Sequence, residues 1–79
     1  MMNRGKWKVY VTKHAHDRAL MRGLTPDIVK AVVKNGKIKE FGKNYIKFIS
    51  KYKFGYVICV GEKKSENQID LITIEVRLS

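Results

Sequence analysis

Seventy-nine residues can bury one small core and no second one, so a single domain spanning residues 1–79 is expected. Hydrophobic residues at 44% and charged residues at 30% exclude a disordered tail, and no segment approaches the roughly 20 apolar residues that a bilayer-spanning helix needs. Seventeen Lys and Arg against seven Asp and Glu give a net charge of +10, which attracts polyanions and makes nucleic acid the leading ligand class.

In chain order, Met1-Met2-Asn3-Arg4-Gly5-Lys6-Trp7 lacks the apolar centre of a secretory signal. Together with Cys59 as the only cysteine, this sets the expectation of a reducing cytoplasm and of no membrane association. Lys8 to Thr12 alternates polar and apolar residues and reads as a short strand feeding the first helix. That helix is expected from Lys13 to Arg22, with Thr12 as N-cap, Ala15 and Ala19 as its small contact face, and Gly23 as the left-handed stop. A second helix follows: Thr25 caps it, Pro26 takes the first helical position, Asp27 complements the dipole, and Asn35-Gly36 ends it. Ile28, Val29, Val32 and Val33 form its buried stripe, and Lys30 and Lys34 a solvated face.

After Gly36 the period changes to that of strands. Lys37 to Phe41 is one strand, Gly42-Lys43-Asn44 a turn, and Tyr45 to Lys51 a second strand in which Ile46 and Phe48 oppose Tyr45, Lys47 and Ile49. Tyr56 to Val60 is continuously apolar and reads as a central strand buried on both faces, with Cys59 a spectator within it. Gly61 to Asn67 reads as a polar loop. Ile69 to Leu78 is the last strand, with Ile72, Ile74, Val76 and Leu78 on one face and Thr73, Glu75 and Arg77 on the other. The expected class is α+β: two N-terminal helices packed on one face of an antiparallel sheet, with a short strand ahead of them.

The residues that could carry chemistry start with His14, Arg18 and Arg22, which fall along one side of the first helix. Cleaving RNA without a metal needs a base for the ribose 2′-hydroxyl, an acid for the leaving oxygen, and cations on the phosphate. His14 is the acid/base candidate, and Arg18 and Arg22 are candidate phosphate clamps with forked donors. Thr73, Glu75 and Arg77 on the last strand could complete such a site. The structural alternatives are Arg22 satisfying helix-end carbonyls and Glu75 with Arg77 as a solvated pair. His14 and His16 diverge around the helix by about 200 degrees, so they make a poor zinc pair, and no metal or cofactor is expected. Tyr45, Tyr52, Phe54 and Tyr56, interleaved with Lys43, Lys47, Lys51 and Lys53, could stack bases and hold phosphates, or could simply be core. Lys13, Tyr45, Lys47, Lys53 and Arg77 are the candidate RNA-binding residues.

The stretch Thr12-x-His14-Ala15-x-x-Arg18-x-x-x-Arg22-Gly23-Leu24, with the capped second helix around Val29, resembles the family called domain of unknown function 4258. That family is grouped with ribonuclease toxins of the barnase, colicin and RelE type. The resemblance covers about the first 35 positions and implies two helices packed on an antiparallel sheet, metal-independent RNA cleavage in a toxin–antitoxin pair, and an acidic antitoxin partner. Residue by residue it points to His14, Arg18 and Arg22, and then to Thr73. The function expected is therefore that of an endoribonuclease. Two alternatives stand beside it: a non-catalytic RNA-binding module, and a basic interaction protein that docks an acidic partner.

Overall fold

A computed structural model describes residues 1–78. Its elements are β1 (Met2–Arg4), β2 (Trp7–Val11), α1 (Lys13–Met21), α2 (Pro26–Asn35), β3 (Lys37–Phe41), β4 (Tyr45–Tyr52), β5 (Gly55–Ser65) and β6 (Gln68–Leu78). All six strands join one sheet in the order β1-β2-β6-β5-β4-β3. Strands β3 to β6 form an antiparallel meander, and the β1–β2 hairpin is added to its far side by a parallel pairing of β2 with β6.

This corrects the expected architecture. The chain is mostly β, with 55% of residues in strands and 24% in helices, and its curled sheet is mixed rather than antiparallel. Nor are the two helices N-terminal, because β1 and β2 precede them. The physical reason lies in Val9, which is completely buried. A lone strand before the helices could not bury it; set between β1 and β6, with Met2 on one side and Ile69 on the other, it can.

Local chemistry explains the helices. The Thr12 and Thr25 hydroxyls accept hydrogen bonds from the Ala15 and Ile28 amides, which caps the two N-termini, and Gly23 takes the left-handed conformation at φ +69°. At the other end of α2 the cap comes from a distant residue: Arg4 Nη1 donates to the carbonyls of Val33 at 2.8 Å and Gly36 at 2.9 Å. Gly36 is needed there for closeness rather than for an unusual φ. A Cβ at this position would run into the Val32 carbonyl and lie 3.0 Å from the Ile49 carbonyl oxygen.

Both helices supply one hydrophobic cluster on one face of the sheet. Ala15, Ala19, Val29, Val32 and Val33 pack with Val9, Ile46, Phe48, Val57, Cys59, Ile69, Leu71 and Ile74. Two expectations along β5 and β6 change. Strand β5 runs on through the residues expected to form a loop, because Glu62 and Lys63 pair with Asp70 and Ile69. A bulge between the Val60–Thr73 and Gly61–Leu71 pairs leaves Ile72 without a partner, so Leu71 and Ile74 both reach the core. No helix is long and apolar enough to cross a membrane among the described residues.

Two outcomes follow from this packing. Replacing Arg4 with Met removes two charge-assisted bonds to α2, and chemical denaturation should show a loss of about 1.5–3 kcal/mol; an unchanged midpoint would mean that α2 ends without help from β1. Burial pushes the Cys59 thiol from 9.0 up to about 12. The folded chain therefore keeps its thiol protonated where the unfolded chain ionises, so the stabilisation is complete below pH about 9 and is lost towards pH about 12. Stability measured across that range should fall more steeply with pH for the native protein than for Cys59→Ala.

Candidate nucleic-acid interface

Two helices of nine and ten residues cover only one face of the six strands. Side chains on the other face follow from the pairing register, because directly paired residues share a face. One row across the sheet is Lys39, Lys47, Val60 and Thr73; the next is Lys37, Ile49, Ile58 and Glu75. Beyond them lie Lys51, Tyr56 and Arg77 at one end, and Phe41, Tyr45, Glu62, Asp70 and Tyr10 at the other. Val60 and Ile58 are buried in the middle, while Phe41, Tyr45, Tyr56 and Tyr10 are each 37–40% exposed.

This face is an aromatic and cationic surface. Phe41 and Tyr45 stack with ring centroids 5.4 Å apart and planes at 22°. The Lys47 ammonium sits 4.9 Å from the Phe41 ring centre, and the Lys51 ammonium 6.0 Å from that of Tyr56. Among the described residues the ion pairs are Lys63 with Glu40 and Lys64 with Glu62. Lys37, Lys39, Lys47, Lys51 and Arg77 therefore have no carboxylate partner among the described residues. A surface of this kind can hold phosphates electrostatically and stack unpaired bases.

The candidate residues of the sequence are distributed over several places. Tyr45, Lys47, Thr73 and Arg77 share the uncovered face, with Thr73 half-buried beside Val60. Lys53 is exposed in the turn between β4 and β5. Tyr52, unlike Tyr45, points to the helix-covered face, where it packs against the core and stacks on Phe54. Lys13 is the first residue of α1 and is exposed. On the same helix the Arg18 Nε–H donates to His14 Nε2 at 3.4 Å, a long and solvent-exposed bond. Arg22 is the C-cap residue, its backbone N–H held by the carbonyls of Arg18 and Ala19. Glu75 and Arg77 form no ion pair with each other.

Thr73 faces away from Ile74, the β6 residue that packs in the same cluster as Ala15 and Ala19 of α1. No side-chain hydrogen bond links Thr73 to His14, Arg18 or Arg22 among the described residues. The connection between α1 and β6 is made one step earlier. The Thr12 hydroxyl donates to the Leu71 carbonyl at 2.6 Å while accepting from the Ala15 amide at 3.3 Å, so one side chain starts the helix and ties it to the strand. Among the described residues no three His, Cys, Asp or Glu side chains cluster as a metal site requires.

Three features escape a reading of the sequence. Lys39 and Phe41 join the interface, and the signal for them was the alternation Lys37-Ile38-Lys39-Glu40-Phe41, which puts Lys37, Lys39 and Phe41 on one side. A groove of about 240 Å³ opens between the helices and the N-terminal strands, with His16, Leu20, Asp27 and Lys30 in its lining and His14 outside it. Arg4 acts as a tertiary helix cap.

Comparison with protein-family models, with curated proteins and with solved structures gives no match.

Because Thr12 serves both elements, Thr12→Val should cost more than the loss of a single cap, about 2 kcal/mol or more in denaturant unfolding. Thr25→Val, which loses only a cap, should cost about 1 kcal/mol. Equal losses would show that the bond to Leu71 adds nothing.

Proposed function

We propose that this protein binds RNA across the uncovered face of its sheet. The observation that carries the reading is the combination on that face of five cations without carboxylate partners and four partly exposed aromatic rings. Surface lysines alone are commonplace, and aromatic residues in strands are usually buried. Here Phe41, Tyr45 and Tyr56 lie outside the core cluster, and two of them carry a lysine ammonium over the ring. Single-stranded RNA is read by such open sheets because its unpaired bases can leave the strand and stack. A folded duplex keeps the faces of its bases stacked inside the helix.

The second reading is that the bound RNA is also cut, by a protein acting as the toxin of a toxin–antitoxin pair and held in check by an acidic antitoxin. The contact between His14 and Arg18 favours it. That contact sets an imidazole, an acid/base group, beside a guanidinium whose forked donors match phosphate oxygens. On this reading His14 is the acid/base group, Arg18 and Arg22 hold the scissile phosphate, and Thr73 helps to position it.

The test of binding is the salt dependence of affinity for a single-stranded oligoribonucleotide. Five cations at about −0.7 each give a slope of log K against log[salt] of up to about −3.5; a slope near zero, or no binding, contradicts the proposal. Cleavage is tested on the same RNA with product-end analysis. The native chain should leave cyclic phosphate ends, and His14→Ala should be slower by about a hundredfold to ten-thousandfold. Binding without cleavage leaves the first reading and removes the second.

A further inference from the structure

Resting on the reading that the uncovered face binds RNA, we infer that its β3–β4 end is the anchoring subsite for one nucleotide of a single strand, with the phosphate between Lys39 and Lys47 and the base against Phe41 and Tyr45. Lys39 and Lys47 are direct partners in the antiparallel pair, where like charges repel and destabilise the sheet. Among the described residues neither lysine has a carboxylate partner to offset this repulsion. The uncovered face of β3 and β4 consists of Lys37, Lys39, Phe41, Tyr45, Lys47, Ile49 and Lys51, without one acid. Two acids at neighbouring register positions are already paired: Glu40 points to the other face and pairs with Lys63, and Glu62, which follows Tyr45 in its row on the uncovered face, pairs with Lys64.

A lysine on an edge strand has a simpler use, since it deters pairing with a second sheet. That explains Lys39, because β3 is the edge strand. It does not explain Lys47, which is half-buried on a strand paired on both sides. A fixed pair of cations with no counter-charge fits an anion, and the neighbouring row names which one. Phe41 and Tyr45 are paired in that row, stacked on each other, about 7 Å along the strands from the lysines. The Lys47 ammonium already leans over the Phe41 ring, so cation and ring adjoin. A phosphate with an unpaired base beside it satisfies both rows; inorganic phosphate uses only one, and a duplex keeps its bases out of reach.

The experiment measures binding of a single-stranded oligoribonucleotide, and of the same sequence as a duplex, to the native chain and to Lys39→Gln, Lys47→Gln, Tyr45→Leu and Lys34→Gln, with thermal melts of each free protein. Lys39→Gln and Lys47→Gln should each weaken single-strand binding about five- to tenfold and make the salt slope shallower by about 0.7. Lys34→Gln, on the outer face of α2 and with the same loss of charge, should bind like the native chain. Tyr45→Leu should weaken binding of the single strand and leave the salt slope as it was. Free Lys47→Gln should melt higher at low salt, because the repulsion is relieved. Native binding with unchanged Lys39→Gln and Lys47→Gln overturns this subsite and leaves the broader reading intact; no binding by the native chain overturns both. A duplex that binds as tightly as the single strand, or a lower melting temperature for Lys47→Gln, also overturns the inference.

Discussion

Two short helices can shield only one side of a six-stranded sheet, and that limit on coverage organises the rest of the molecule. The largest apolar side chains to leave water are sent to the helix-covered face, where Phe48, Ile46, Ile69, Leu71 and Ile74 are completely buried. The opposite face must then be made tolerable to water by other means. Ile58 and Val60 are hidden there by their own neighbours in the sheet, and the exposed positions carry lysines, Arg77 and aromatic rings. A purely structural solution would alternate acids with bases across the strands. Strands β3 and β4 instead present lysines and no acid on this face, and part of the excess positive charge of the composition thereby acquires a location.

The second organising feature is the place where the beginning and the end of the chain meet. Strand β2 lies parallel to β6 as far as Val11 and Leu71, after which the chain turns into α1. Thr12 sits at that divergence and is bonded in both directions, to the strand it leaves and to the helix it begins. The β6 bulge follows immediately, so the helix start, the strand kink and Thr73 are fixed within a few residues of one another. Arg4 does the equivalent work at the other end of the helical segment, where it ties β1 to the last turn of α2. Because both ties join residues far apart in sequence, the sheet is completed only when the whole chain is present, and such non-local pairing folds slowly.

What the sequence reveals and what it hides divide along the same line. The bounds of α2 were legible because Thr25, Pro26, Asp27 and Gly36 act within a few residues of themselves. Parity within a strand was legible too: it groups Tyr45 with Lys47 and, read strictly, separates Tyr45 from Tyr52, which points to the core. The partner of β2 was not, since alternation in Lys8 to Val11 names a strand without naming what it pairs with. The same gap hid the pairing of Lys39 with Lys47, which depends on the register set by the turn after Phe41. The apparently unbroken alternation of the last strand concealed the bulge at Ile72. For the site, the residue types were visible and their grouping was not: Tyr45, Lys47, Thr73 and Arg77 share a face, while His14 and Arg18 form their own pair on α1.

RNA is proposed to lie on the uncovered face, and a residue-resolved titration addresses this most directly. Backbone amide resonances of the native chain would be followed by NMR as a short single-stranded oligoribonucleotide is added. The expected shifts centre on Lys37 to Phe41, Tyr45 to Lys51, Tyr56 and Arg77, with the groove around Leu20 and Lys30 unmoved. Shifts confined to that groove, with β3 and β4 silent, would contradict the account.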